Sequence, residues 1–254
     1  MSRTAVPMSR VALNAPAVPL YTSKQSPVVA FVVLIGVAAL AGAVAAASAD
    51  PQLTPFMATF ALMFVAAAIV VYRWSTVVQA RVVRIDPVRS ALRFAAPVTI
   101  QLGFAVLGLL ALLPLVSVVL FGLPREAPLG LLLLLVVGGG AVVGLGQQLW
   151  GLRAPAGLTL SDSGLRGVRG SIRVAISWSD LSHASVIPGK AAQLVLNLRT
   201  GAVLVVDPHC IGSDPNVVAP VVNFFLANPR HRATLATPMA ALALVEEHAA
   251  TTAG

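Results

Sequence analysis

Charge is what this chain has least of. Only 10% of its 254 residues are charged, against about 25% in an ordinary soluble domain. Cysteine is almost missing too. Cys210 stands alone, which excludes an internal disulfide and any metal site built from several thiolates. The sequence has no Gly-x-Ser-x-Gly elbow, no P-loop and no dinucleotide fingerprint. His183, His231 and His248 lie far apart and lack an acidic partner at His-Glu-x-x-His spacing. The neighbours His209 and Cys210 read as structural, because adjacent residues of a strand point to opposite faces. We therefore expect no catalytic residue, no cofactor and no metal, and a protein that is not an enzyme.

What the chain does have is apolar length, with 57% hydrophobic residues. Val28 to Ser48 is an unbroken run of 21 residues, about 31 Å as a helix and long enough to cross a bilayer core. It ends in Ala47-Ser48-Ala49, similar to a signal-peptidase site. The long leading segment and the long apolar run argue against cleavage. Phe56 to Tyr72 is a second span and Val98 to Gly122 a third, with Pro114 as its kink. Leu129 to Leu149 is a fourth. The spans carry no Asp, Glu, Lys, Arg or His, and Gln101, Gln147 and Gln148 sit near their ends. Ion-coupled transporters usually hold ionisable groups inside the membrane, so a self-sufficient transporter is disfavoured.

The basic residues fix an orientation. Three precede the first span, five lie between the second and third, and eight follow Trp150, leaving Arg125 alone on the other side. That is a positive-inside pattern with both termini in the cytoplasm. Trp74 and Trp150 fall at the same inner interface, where indole rings prefer to sit. The net charge of +8 thus follows from topology, and no nucleic acid is needed as a partner. Gly42 with Ala46, and Gly140 with Gly144, form small-xxx-small pairs. These pack helices closely within the bundle or dock another membrane protein.

Residues 1–27 read as a loosely attached cytoplasmic tail, and 28–152 as a four-helix transmembrane domain. Within the loop at 77–94, Val83 and Ile85 alternate with Arg84 and Asp86, and Leu92 and Phe94 flank Arg93. That pattern predicts a short hairpin turning at Asp86-Pro87-Val88-Arg89. A lone hairpin is barely stable in water, so it needs a surface to pack on.

The stretch 153–235 reads as a small cytoplasmic β-rich domain, followed by a C-terminal helix and tail at 236–254. Leu158 and Leu160 alternate with polar neighbours, and Asp162-Ser163-Gly164 turns the chain. Ile176 and Trp178 share a face with Ile172 and Val174. Ala184 to Pro188 is a weaker strand, and Asp180 a turn residue. Leu194, Leu196 and Leu198 share one face, and after a Thr200-Gly201 turn Val203 and Val205 continue it. Asp214 suits a helix N-cap and Pro215 the first helical position. Val218, Val221, Val222 and Phe225 form the apolar face of that helix. A second helix begins near Pro238, with Met239, Leu242 and Val245 on one side. Short strands followed by a helix make a small antiparallel barrel or sandwich with a helical cap.

The string Leu158-Thr-Leu-Ser-Asp-Ser-Gly-Leu165, then Ile176-Ser-Trp-Ser-Asp-Leu181, the Leu194-to-Val206 hairpin and the apolar helix together resemble bacterial PH-like domains fused to membrane spans. The resemblance covers roughly 80 residues. It implies a PH-like fold, and such folds bind lipid head groups, peptides or proteins. Size, four spans and an Arg/Ala/Val-rich composition also resemble actinobacterial multi-pass proteins, among them accessory proteins of Mce-type fatty-acid and sterol importers. The resemblance implies a non-enzymatic adaptor in the plasma membrane, with other membrane proteins as partners. A second reading is a sensor of anionic phospholipid. Its contacts would be Arg153, Arg166, Arg169, Arg173, Arg84 and Arg89, where each basic residue near the surface contributes about 1 kcal/mol.

Overall fold

The computed structural model describes residues 4–8, 18–20, 26–86, 91–122, 139–140, 143–144, 146, 157–167, 175–189 and 191–252. The chain divides into two compact units. One holds residues 24–75 and 98–152, and the other holds 1–23, 76–97 and 153–254.

The first unit is helical. α1 (Ser26–Ala47), α2 (Leu53–Ser75), α3 (Val98–Leu110) and α4 (Leu113–Phe121) follow in order. Three helical stretches, Val28–Ala47, Leu53–Ser75 and Val98–Phe121, are long and apolar enough to cross a membrane. Their outward faces carry Val32, Leu40, Leu62, Leu102 and Val119, all exposed. Burial inside the unit centres on Phe56, Phe60 and Met63. The Phe56 and Phe60 rings meet edge to face with centroids 5.0 Å apart, a favoured arrangement for aromatic quadrupoles. The third stretch breaks between α3 and α4, where the sequence put its kink. Pro114 has no N–H to give, and its ring clashes with the carbonyl four residues earlier. The Ser117 hydroxyl donates to the Pro114 carbonyl at 2.9 Å. Most of the expected fourth span lies outside the described residues. Gly139, Gly140, Val143, Gly144 and Gly146 within it are helical.

The second unit is built from three separate stretches of chain. β1 (Thr4–Pro7), β2 (Val82–Ile85), β3 (Leu92–Phe94), β4 (Leu158–Ser161), β5 (Gly164–Arg166) and β6 (Ala175–Ser177) form a six-stranded antiparallel sheet in that order. β7 (Leu181–Ile187), β8 (Gln193–Leu198) and β9 (Val203–Val206) form a second sheet of three. The expected hairpin is present, with Ile85 opposite Phe94, while residues 87–90 of its turn lie outside the described residues. It does not stand alone. β3 pairs with β4, placing Leu92 opposite Leu160 and Phe94 opposite Leu158.

The N-terminal stretch departs from its reading as a loose tail. Residues 4–7 pair with β2, from Thr4 opposite Ile85 to Pro7 opposite Val82, and Met8 is buried in the core. Local pattern gave no sign of this, because an edge strand is specified by its remote partner and not by its own periodicity. Pro7 also suits only an edge position or a strand end.

Helices close the unit. α5 (Pro208–Ile211) is a single turn, α6 (Pro215–Ala227) is the long apolar helix, a 3-10 segment runs Pro229–Ala236, and α7 spans Pro238–Thr252. Val218, Val221, Val222 and Phe225 of α6 are fully buried, joined by Val217 and Ala219. Each of these valine and phenylalanine side chains contributes roughly 1.5–3 kcal/mol on burial. The core they share with Leu158, Leu160, Leu165, Ile176, Trp178, Leu194 and Leu196 is one continuous cluster.

Four local expectations are corrected. Strand β7 starts at Leu181, three residues before Ala184, and bulges between Leu181 and His183. His209 and Cys210 lie in the one-turn helix α5, not in a strand. Met239 is 52% exposed, and the buried face of α7 is Ala241, Leu242 and Val245. In β9 the core-facing residues are Leu204 and Val206, which pair with Leu196 and Leu194, and not Val203 and Val205. The cause is loop parity. Leu198 N donates to Ala202 O at 2.9 Å, so the loop has three residues, with Gly201 in the left-handed region at φ 84°. A three-residue loop with glycine there is a standard hairpin, and it flips every side chain relative to a two-residue turn.

Candidate functional site

Among the described residues, a polar cluster of the sheet-containing unit sits at the head of α6, where three distant stretches of chain meet. Asp214 caps the helix as its sequence position implied. Its Oδ1 accepts from Asn216 N at 2.9 Å. Its Oδ2 reaches back to the inter-span loop and accepts from Arg81 N at 2.8 Å. Arg81 holds φ 60°, a left-handed conformation that a non-glycine residue keeps only when its surroundings dictate it. Its carbonyl accepts from Met8 N at 2.9 Å, and Asp214 N donates to Val82 O at 3.0 Å. Ser213 is wholly buried. Its hydroxyl accepts from Arg84 N at 2.8 Å and donates to Ile211 O at 3.1 Å.

Asn216 completes the cluster. It is buried, and its carboxamide faces the backbone of Val18, 198 positions away. Val18 N donates to Asn216 Oδ1 at 2.9 Å, and Asn216 Nδ2 donates to Val18 O at 2.9 Å. Two residues further on, Leu20 O accepts from Ala192 N at 3.1 Å. Asn223, two turns along α6, repeats the device on β7. It donates to Ala184 O at 2.8 Å and accepts from Ala184 N at 2.7 Å. The sequence reading missed both asparagines. The available signal was two amide side chains seven residues apart on an otherwise apolar helix, hence on one face of it.

The far end of α6 is held in the same manner. Arg232 donates from Nε to Phe225 O at 2.9 Å and from Nη2 to Leu226 O at 3.1 Å. Its guanidinium lies 4.8 Å from the centre of the Trp178 ring. Trp178 Nε1 in turn donates to Ser161 O at 2.8 Å. The Ile-x-Trp-x-Asp-Leu stretch therefore joins β4, β6 and the end of α6. Asp180 takes the turn role expected of it: its carboxylate accepts from the Ser177 hydroxyl at 2.9 Å, and its carbonyl accepts from Arg199 N at 2.8 Å.

The expected lipid-contact residues are only partly in view. Arg153, Arg169, Arg173 and Arg89 lie outside the described residues. Arg166 is exposed in β5, opposite Thr159 and Ala175. Arg84 is turned back on its own loop, with Nε donating to Val77 O at 3.2 Å. Two strands separate β2 from β5, so Arg84 and Arg166 are not brought together. Arg93, in β3 between them, is buried. Among the described residues, nothing lies within 4 Å of where a Cβ would sit on Gly42, Gly140 or Gly144, and Ala46 is exposed.

Three further clusters bear on chemistry. His209 Nδ1 lies 2.9 Å from Asp207 Oδ1. That hydrogen bond, opposed by burial, holds the Asp207 carboxyl below its ordinary range. Burial, with the nearby Asp207 charge, pushes the Cys210 thiol up to about 11. A thiol that weakly acidic is a poor nucleophile at neutral pH. On the second sheet, Asn197 Nδ2 donates to Ser185 Oγ at 3.1 Å and lies 3.1 Å from His183 Nε2. There the asparagine, and not the histidine, contacts the hydroxyl. His231 and His248, distant in sequence, both lie against Phe224, with ring centroids at 6.0 and 5.1 Å. Among the described residues no group of three His, Cys, Asp or Glu is gathered closely enough to hold a metal ion. Compared with protein-family models, curated proteins and solved structures, the chain matches none.

Proposed function

We propose that this chain is a non-enzymatic integral membrane adaptor: its helices dock in a larger membrane complex and its sheet-containing unit holds a soluble partner. The observation that carries this is the use to which buried polar side chains are put. Asp214, Ser213 and Asn216 all bind backbone of the same chain. They fasten the head of α6 to the stretches that precede α1 and follow α2. That is an arrangement for holding segments in place.

Four crossings fit this reading. β3 and β4 are hydrogen-bonded neighbours, and one membrane-length helix, Val98–Phe121, lies between them. A single crossing would leave paired strands on opposite faces of the bilayer. A second crossing between 122 and 157 removes the conflict, and 129–149 is the apolar run available for it. β1 and β2 are likewise paired across two membrane-length helices. With four crossings, all basic residues except Arg125 fall on the strand side, which supports a cytoplasmic placement of both termini. A four-plus-three core of strands, β3 to β6 and β7 to β9, closed by α6, supports the PH-like reading.

The partner class rests on the resemblance to actinobacterial multi-pass proteins, which points to a Mce-type fatty-acid or sterol importer. The test is a mild-detergent pulldown of the tagged full chain from its native membrane, read by mass spectrometry. Co-purifying Mce-type or permease subunits support the adaptor. A lone protein enriched in anionic lipid overturns it and favours the lipid sensor.

A further inference from the structure

The three-stranded sheet has two edges, β7 and β9, and the fold treats them differently. On β7, Asn223 takes both the N–H and the C=O of Ala184, and a bulge between Leu181 and His183 breaks the line of the strand. Those are two ways of keeping another strand from adding on. On β9 there is neither. Its sequence, Val203-Leu-Val-Val206, holds no charge and no proline, and Val203 is exposed. The bond from Leu198 N to Ala202 O sets the ladder, because bonded pairs alternate along antiparallel strands. Leu204 and Val206 therefore turn their backbone groups to β8, and Val203 and Val205 turn theirs away. Among the described residues nothing bonds those outward groups. The open edge is short. The Gly201 turn ends it on one side, and on the other the Asp207 carbonyl already accepts from Cys210 N.

We propose that β9 is a self-association edge: two copies of this chain pair through it in antiparallel register about Leu204, joining their three-stranded sheets edge to edge. The occupant is argued from the edge itself. With Leu204 on the two-fold axis, Val203 lies opposite Val205 of the second copy and Val205 opposite its Val203. Every outward N–H then meets an outward C=O, so the strand is complementary to itself, as a two-fold contact requires. The same register sets Asp207 opposite Gly201 of the second copy, in the turn that carries Arg199. Asp207 and Arg199 are both exposed, so opposite charges meet at each end of the pair. One short strand makes a weak contact, and confinement of both copies to one membrane raises their effective concentration.

This inference goes beyond the adaptor reading and does not depend on it. Its test is oxidative disulfide linking of full-length single-cysteine chains in native membranes, in a Cys210→Ser background, with dimer read on non-reducing gels. Leu204→Cys should link to itself, since facing residues of a non-bonded pair have Cα atoms about 4.5 Å apart, within disulfide reach. Val203→Cys alone should give roughly fivefold less dimer, because its copies lie diagonally about 7–8 Å apart. Co-expressed chains carrying Val203→Cys and Val205→Cys should link to each other, as a facing pair about 5.5 Å apart. This mixed pair decides the matter if Leu204→Cys disturbs the core. Arg199→Glu, a change in an exposed turn, puts like charges at both ends and should lower linking about threefold. The proposal is overturned if neither Leu204→Cys nor the mixed pair gives dimer, or if Ser163→Cys, in an exposed turn elsewhere in the unit, links as readily. It is also overturned if Arg199→Glu changes nothing, or if Leu204→Cys links to a different protein instead of to itself.

Discussion

Replacing Asp214 by alanine removes three hydrogen bonds at once: to Asn216 N, to Asn216 Nδ2 and to Arg81 N. Loss of an N-cap costs about 1 kcal/mol. A hydrogen bond to a charged acceptor contributes about 1.5–3 kcal/mol, and Arg81 loses the partner that fixes its left-handed backbone. The sum is about 3 kcal/mol, or roughly 150-fold in an opening equilibrium. Hydrogen exchange in micelles, read on peptides covering 215–227, measures that opening directly. Asp214→Asn keeps one acceptor oxygen for the cap and presents a donor to Arg81, so its effect falls between wild type and alanine. Peptides from α1 and α2 serve as internal controls. Acceleration of less than about fivefold in Asp214→Ala would refute the reasoning, as would equal acceleration in α1 and α2.

Three other outcomes follow from the same geometry. At pH 8 the Cys210 thiol, with its pKa near 11, holds over a hundredfold less thiolate than an ordinary cysteine at about 8.5; maleimide therefore labels the native chain slowly and the denatured chain fast. Val203 is 56% exposed and Val206 is buried, so Val203→Lys changes stability by less than about 0.5 kcal/mol while Val206→Lys prevents the sheet-containing unit from folding; equal effects in thermal melts would restore the two-residue turn. Asp207 has its carboxyl lowered by the bond to His209, so it contributes stability above its unfolded value of 3.8 that is lost as pH falls through the folded value. Asp207→Asn flattens the acid limb of unfolding measured below about pH 5, and an unchanged acid limb would contradict this.

Periodicity exposed much of this fold and concealed the rest for identifiable reasons. The apolar helices, the hairpin at 82–94, the Asp214 cap and the α6 face were legible because each is a local pattern. Pairing between β1 and β2 was not, because it joins residues some 80 positions apart across two membrane-length helices. The Val203 face was misread because one extra loop residue inverts a strand, and Thr200-Gly201 fits either turn length. Asn216 and Asn223 were visible as letters, but their role depends on backbone that only the fold brings to them. The basic rim was read from charge alone, and charge did not indicate that Arg84 folds back on Val77 O.

The central claim is that one folded unit is stitched from stretches 1–23, 76–97 and 153–254, all on one face of the membrane. It is tested most directly by labelling single cysteines in a Cys210→Ser background with a membrane-impermeant maleimide, on intact cells and after lysis. Gln79→Cys and Ser163→Cys lie in exposed turns of that unit, while Gln52→Cys lies between α1 and α2. The account predicts that positions 79 and 163 label together, only after lysis, and that position 52 labels on intact cells. Labelling of 79 and 163 from opposite faces would contradict it.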